Sequence, residues 1–423
     1  MTRSRCRAFP PLLVGIALIV LGCAPHHPPG TEDLPPGVAG VAATFTDINP
    51  RWSHDGRRIA FIRAGDDRRL QLFITAPDLD RPLALLEEEL VSPDRPYSPE
   101  LNRYCGPDTL AWSPNDRKIA FERIEWFTFE NGERLPGTGL WEIDLHSGRV
   151  LPLAIHKSIY NNVFYYYHTP CWSPDGRYLA FVGEGINGQR AIFVRPLSAE
   201  KAQEVQPRFD NYGDSDWPAW QPLAGLPRIQ PALAFRQGVV HALAAPNVET
   251  LRRLRPGGHD PTERGEIWRL HAAEYARLLS AEIASNPIAA RAAHLQWEPN
   301  GRRLAYSLTP DANDFTRYEI WVIGDDGRAP HRVSPHDGHG YFAPVWIGAS
   351  RIGALSPHGD AFDVVVIDLQ SRSKRVLGTI SSADCDWSPD RTRIAYAPSE
   401  RVAAMPGALT TLRLFDTHLA PLN

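Results

Sequence analysis

The chain has 423 residues, 43% of them apolar and 22% charged, enough to bury a large core and too apolar for a disordered protein. Lys and Arg number 45 against 49 Asp and Glu, a formal charge of -4. With no long run of one sign, nothing in the sequence argues for a nucleic-acid partner.

At the amino terminus Arg3, Arg5 and Arg7 precede an apolar stretch from Pro10 to Leu21 and the pair Gly22-Cys23. A basic head before a short apolar segment is an export signal, too short for a comfortable membrane span. Val20-Leu21-Gly22-Cys23 resembles the lipobox of bacterial lipoproteins, which implies removal of residues 1–22 and acylation of Cys23. Each buried acyl methylene contributes about 0.8 kcal/mol, so the mature chain is expected to sit on a membrane through its lipid alone. Ala24 follows, not Asp, which resembles the outer-membrane class of Gram-negative lipoproteins and implies an outer-membrane protein facing the periplasm. An ordinary secretory signal with an incidental Cys is the alternative. Residues 23–37 read as a Pro-rich tether, with His26 and His27 in solvent.

From residue 38 onward the organising feature is a repeat built on seven tryptophans. Trp172-Ser173-Pro174-Asp175-Gly176 with Leu179-Ala180-Phe181 is its clearest copy. Pro presets φ at the second turn position, Asp tolerates the third, and Gly takes the left-handed position that closes a hairpin, so the flanks are two antiparallel strands. Other copies start at Trp52, Trp112, Trp297 and Trp387, with degenerate ones at Trp220 and Trp346. Successive spacings of 60, 60, 48, 77, 49 and 41 residues approach one four-stranded propeller blade at their shortest. A third apolar run ending near Asp follows most copies, as in Trp141-Glu142-Ile143-Asp144 and Val365-Val366-Ile367-Asp368, and a short fourth run follows that. Each unit is therefore expected to hold four strands, A ending at the Trp, then B, C and D. Residues 38–423 are expected to form a single all-β, seven-bladed β-propeller, with Val41 to Phe45 adding the strand that closes the last blade. Residues 255–294, between blades four and five, read as a helical insertion, since Ile267, Leu270, Tyr275, Leu278, Leu279 and Ile283 share one broad stripe over Glu266 to Ala284.

Trp-Ser-Pro-Asp-Gly-x-x-Ile-Ala-Phe followed by a strand ending in Asp resembles the propeller repeat of TolB-type proteins, also found in prolyl-oligopeptidase-like peptidases. The resemblance covers nearly all of residues 38–420 and implies the fold far more strongly than any activity. TolB itself carries an additional α/β domain and a six-bladed ring, where only a tether precedes the first repeat here, so a Tol-Pal role is not carried over.

In such blades the A–B turns emerge on one face, and the B–C and D–A connections on the other. The Ser-Pro-Asp-Gly turns are thus architecture, and ligand-binding candidates come from the D–A connections: Tyr97, Tyr104, Tyr160, Tyr165, Tyr166, Tyr167, His168, Tyr212, Asp214, Asp216 and Tyr341. Aromatics with a polar tip on loops above a rigid ring suit recognition, though packing of the loops against the rim is the alternative for any one Tyr. After processing, three cysteines remain; if a disulfide forms, Cys105 and Cys171, in neighbouring blades, are the expected pair.

No Gly-x-Ser-x-Gly elbow, phosphate loop, His-Glu-x-x-His or Cys-x-x-Cys pair occurs. The expected function is a monomeric, non-catalytic envelope lipoprotein without a cofactor, binding a protein, peptide or glycan on its loop face and central channel. The alternative is a metal-dependent polysaccharide lyase or other carbohydrate-active propeller enzyme with His168, His336 and His339 as ligands; seven-bladed lyases acting on uronic-acid oligosaccharides resemble this architecture and use such histidines.

Overall fold

A computed structural model describes residues 45–65, 70–86, 110–128, 134–154, 164–185, 190–198, 203–204, 215–222, 232–237, 266–271, 292–308, 315–325, 329–398 and 410–421. The strands form antiparallel sheets in chain order. The first holds β1 (Phe45–Trp52), β2 (Ile59–Gly65), β3 (Leu70–Thr75) and β4 (Leu83–Ala84), and the second β5 (Leu110–Trp112), β6 (Lys118–Thr128), β7 (Arg134–Asp144) and β8 (Val150–Ala154). The third holds β9 (Phe164–Trp172), β10 (Tyr178–Gly185), β11 (Arg190–Pro196) and β12 (Gln203–Glu204); the fourth has three strands, β13 (Ser215–Trp220), β14 (Ala232–Gln237) and β15 (Glu266–His271). Then come β16 (Ala292–Trp297), β17 (Arg303–Leu308), β18 (Glu319–Gly324) and β19 (His331–Arg332), and a sixth sheet of β20 (Phe342–Ile347), β21 (Arg351–His358), β22 (Ala361–Asp368) and β23 (Lys374–Ile380). The last sheet again has three strands, β24 (Cys385–Trp387), β25 (Arg393–Tyr396) and β26 (Arg413–Asp416).

The expected fold of seven four-stranded blades with a helical insertion is therefore corrected. Two of the seven sheets have three described strands, and the only helical segment among the described residues is the 3-10 turn Phe315–Arg317. Glu266–His271, read as the start of a helix, pairs with β14 from Ala232↔His271 to Gln237↔Glu266. The helical stripe lost because β14 offers a full row of backbone partners to a run containing Ile267 and Trp268, residues that suit a pleated surface. Residues 272–291 and Val239 to Ala244, the run expected as the third strand of this unit, lie outside the described residues. So do Val41 to Thr44, and Phe45 opens β1 of the first sheet, opposite Gly65, instead of closing the last one.

The first strands of the sheets lie nearest the axis: β1 touches β5, β5 touches β9, β9 touches β13, β13 touches β16, β16 touches β20, and β1 also touches β24. Core side chains fill the spaces between consecutive sheets. Leu110, Trp112 and Phe121 of the second sheet meet Ile62 and Leu72 of the first, and Trp387 and Ile394 of the last meet Leu355 and Val366 of the sixth. The repeat tryptophans hold this ring by one bond used six times. The indole Nε1 of Trp112, Trp172, Trp220, Trp297 and Trp346 donates to the carbonyl of Arg51, Ala111, Cys171, Ala219 and Gln296, in each case the residue just before the preceding tryptophan. Trp52 closes the circle by donating to Asp386 O at 3.1 Å, while its backbone N donates to the Asp386 carboxylate at 2.8 Å. Each of these indoles is buried, so the bond satisfies a donor that water cannot reach.

A second recurrence shapes the inner strands. Three residues before Trp52, Trp172, Trp297 and Trp346, the non-glycine residues Asn49, Thr169, His294 and Ala343 adopt left-handed φ of 53°, 54°, 52° and 50°. Each sits at a break in the A–B register, which identifies a β-bulge repeated around the axis. Bulges of this kind re-aim the chain, here within strand A, three residues before the Trp that leads into the turn.

Candidate functional site

The two faces differ in how their polar groups are used. On the turn face Ser53, Ser113, Ser173 and Ser388 donate their hydroxyls to the Asp or Asn two residues on, and each accepts the backbone N–H five residues on. A cleft of about 870 Å3 lies on this face between the first and second sheets, lined by His54, Asp55, Arg58, Asp116, Arg117 and Asp144 among others. Its acids are consumed by the architecture. Asp116 accepts from His54 N, His54 Nδ1 and Asp55 N, all at 2.8 Å. Asp144 caps His146 N and Ser147 N, and those bonds hold its carboxyl below the usual range. The larger cleft is thus a seam between turns.

On the opposite face a smaller cleft of about 410 Å3 lies where the B–C connection of the fifth sheet meets the D–A connection into the sixth. Thr316, Arg317, Tyr318 and Glu319 line one side, and Arg332, His336, Gly338 and His339 the other. Both walls are fixed from behind. Arg332 donates to Glu319 Oε1 at 2.5 Å, to Ser334 O and Oγ, and to Pro335 O, while Glu319 Oε2 accepts from Trp321 Nε1. Tyr341 N donates to Tyr318 O, tying the two connections together. Asp337, beside the lining residue His339, accepts the Tyr341 hydroxyl at 2.6 Å and pairs with Lys374 at 2.9 Å. Burial works against ionisation of Asp337, but the bonds from Tyr341 and Lys374 outweigh it and hold the carboxyl well below its usual range. Burial, followed by the bond to Asp337, pushes the Tyr341 phenol up to about 12.

The sequence candidates therefore divide. Tyr341 is fully buried and braces this cleft from beneath, a supporting place and not a contacting one. Tyr167 packs edge-on against Phe181 and Phe193 at 5.6 and 5.9 Å between ring centres, and its backbone N–H and C=O both bond Thr138 Oγ1 of β7. It is part of the core between the second and third sheets. Tyr165 and Tyr166 belong to the outer end of β9, where the register against β10 shifts between Glu184 and Gly185. His168 bonds Thr169 Oγ1 at the bulge. Asp216 pairs with Arg236 along the backbone of β13 and β14. Tyr97, Tyr104, Tyr160, Tyr212, Asp214, Cys105 and Cys23 lie outside the described residues. Among those described, no three His, Cys, Asp or Glu side chains converge to hold a metal ion, so His168, His336 and His339 are not brought together. No helix among the described residues is long and apolar enough to cross a membrane.

Sequence reasoning named His336 and His339 but missed Thr316 and Arg317, because it searched the D–A connections for aromatics. The signal was available: a B–C connection shares their face, and Thr316-Arg317 stands one residue before the third strand of the fifth unit.

No protein-family model matches the chain, and no curated protein does. Solved structures do. An oligogalacturonate lyase in complex with manganese is similar with a TM-score of 0.51 and 11% identity, over 88% of this chain and 89% of that one. A prolyl endopeptidase is similar with a TM-score of 0.51 and 14% identity, over 84% of this chain and 46% of that one. TolB from Acinetobacter baumannii is similar with a TM-score of 0.41 and 15% identity, over 76% of this chain, which spans 63% of its length. At these identities the likeness is one of fold alone: the chain is a β-propeller.

Proposed function

We propose that this protein is a lipid-anchored binding module of the bacterial envelope, whose loop face engages a ligand without transforming it. The observation that carries the reading is the contrast between the faces. The turn-face carboxylates are consumed in holding turns together, whereas the loop-face cleft has walls fixed by Arg332 and Tyr341 and leaves Arg317 and His336 exposed at its mouth. A rigid scaffold presenting uncommitted polar groups suits recognition. Anchorage through Cys23 and the Pro-rich tether would hold that face within reach of other envelope components.

The test is cross-linking in cells with the anchor intact, comparing the natural chain with Tyr165→Ala/Tyr166→Ala and with Arg317→Ala/His336→Ala. Tyr167 is left in place because its ring belongs to the core. Loss of a cross-linked envelope partner in either pair, with unchanged thermal unfolding, is the expected result; undiminished recovery of every partner in both would defeat the reading.

A further inference from the structure

The loop-face cleft has a charge pattern that narrows its ligand. Four cationic or potentially cationic side chains line it, Arg317, Arg332, His336 and His339, against one carboxylate, Glu319. That carboxylate is spent: one oxygen binds Arg332 and the other binds Trp321. Arg332 is equally committed, to Glu319, Ser334 and Pro335. His339 leans on Asp337 through Nδ1, at 3.3 Å from its carboxylate and 3.2 Å from its carbonyl. Arg317 is different. It ends the 3-10 turn, its side chain is exposed, and among the described residues its guanidinium meets no carboxylate or carbonyl. His336 is likewise exposed, with no ring partner among the described residues. Gly338 lines the same cleft, with φ of +81° and open space where a Cβ would lie, so ligand atoms can approach the backbone there.

An uncommitted guanidinium offers a planar fork of N–H donors matched to an oxyanion, and an imidazole lining the same cleft supplies another. A volume of about 410 Å3 is at the small end of small-molecule pockets and suits a group of about one ring in size, not a folded element. Tyr318 is the one large apolar side chain of the lining and is buried, so the cleft presents no exposed apolar anchor. We infer that this cleft binds a small polar ligand through an oxyanion, a carboxylate or a phosphate ester, gripped by Arg317 and His336. The inference rests on the loop face being the binding face and names the chemistry recognised there.

The test is calorimetric titration of the full chain with glucuronate, glucose 6-phosphate and glucose, which share a ring and differ in the anion. Saturable binding of one or both anions, absent for glucose, is expected. Arg317→Gln should weaken it by about tenfold or more, since a hydrogen bond to a charged group is lost. Arg117→Gln, on the opposite face, should leave it within about twofold. Preference between the two anions assigns carboxylate or phosphate. Raising the salt concentration should weaken the binding further, because the ion pair sits at an exposed mouth. Equal binding of glucose, an equal loss on Arg117→Gln, or no binding of either anion would each overturn the inference. In the last case, continued loss of a cross-linked partner in the Arg317→Ala/His336→Ala chain would leave the broader binding role standing.

Discussion

The junction between the first and second sheets invites a double-mutant cycle. At three junctions the proline two residues after one Trp lies beside the glycine four residues after the next: Pro389 is 3.7 Å from a Cβ built on Gly56, Pro114 is 3.9 Å from one on Gly176, and the Pro222 carbonyl is 2.9 Å from one on Gly301. At the first-to-second junction both positions differ, as His54 and Asp116. Asp116 is held at a left-handed φ of 54°, and its carboxylate takes the His54 N–H that a proline would lack. His54→Pro alone removes two of the three donors to a carboxylate whose side chain is only 9% exposed. Bonds to a charged group are worth about 1.5–3 kcal/mol each, and the imidazole one must be discounted because His54 is 56% exposed, so the expected loss is about 2 kcal/mol. Asp116→Gly alone loses the capping of two amides but relieves a left-handed residue, a gain of about 1 kcal/mol, for a net loss of about 1 kcal/mol or less. The double change recreates the ordinary Pro–Gly seam and should recover most of the natural stability. The coupling, about 2 kcal/mol, is read from urea midpoints at constant m-value. A double variant whose loss equals the sum of the singles within about 0.5 kcal/mol would show that the pair is not a unit.

Two further outcomes follow from single sites. Gly301→Ala combines a φ of +71° with a Cβ 2.9 Å from the Pro222 carbonyl, whereas Gly176→Ala meets nothing nearer than 3.9 Å, so the former should unfold at the lower urea concentration by about 1 kcal/mol or more. Tyr341, raised to about 12, stays protonated where an unfolded tyrosine, near 10, has ionised. Stability should therefore fall as pH rises from about 10 to 12, and Tyr341→Phe should remove that part of the slope in alkaline denaturation; an unchanged slope would contradict it. Asp337, held low, acts at the other end: its stabilisation is present above about pH 4 and is lost as pH falls below that, an acid limb that Asp337→Asn should flatten.

Much of the ring was legible because its signals are local. Trp172 to Gly176 announces a turn, Leu179-Ala180-Phe181 a strand, and the register places Leu179 opposite Trp172. The strand β15 was not legible because Glu266 to Ala284 satisfies a helical stripe as well as a strand, and only the partner β14 decides between them. Tyr167 misled for a related reason. Which member of a tyrosine run faces the core depends on strand register, and the register breaks at Thr169 and at the Glu184–Gly185 step are not visible in composition. Composition located the strand on the loop face but could not say which tyrosine entered the core.

Two departures from the repeat are more informative than its best copies, because each pairs a change in one copy with a change in the next across a seam. Where the position two after the Trp is not proline, at His54 and Gly348, the position four after the next Trp is not glycine, but Asp116 and Arg391. Both replacements take a left-handed φ, 54° and 64°, and both reach back across the seam: Asp116 to the His54 and Asp55 amides, Arg391 through Nε to the Trp346 carbonyl at 3.1 Å. At these two places the unit that varies is thus the junction and not the blade. At these two seams a substitution in one copy is compensated in the next, and across the first of them the Trp112 bond to the Arg51 carbonyl persists. The cleft at Arg317 sits on the face those junctions leave unconstrained, where a connection can change its side chains without disturbing a seam.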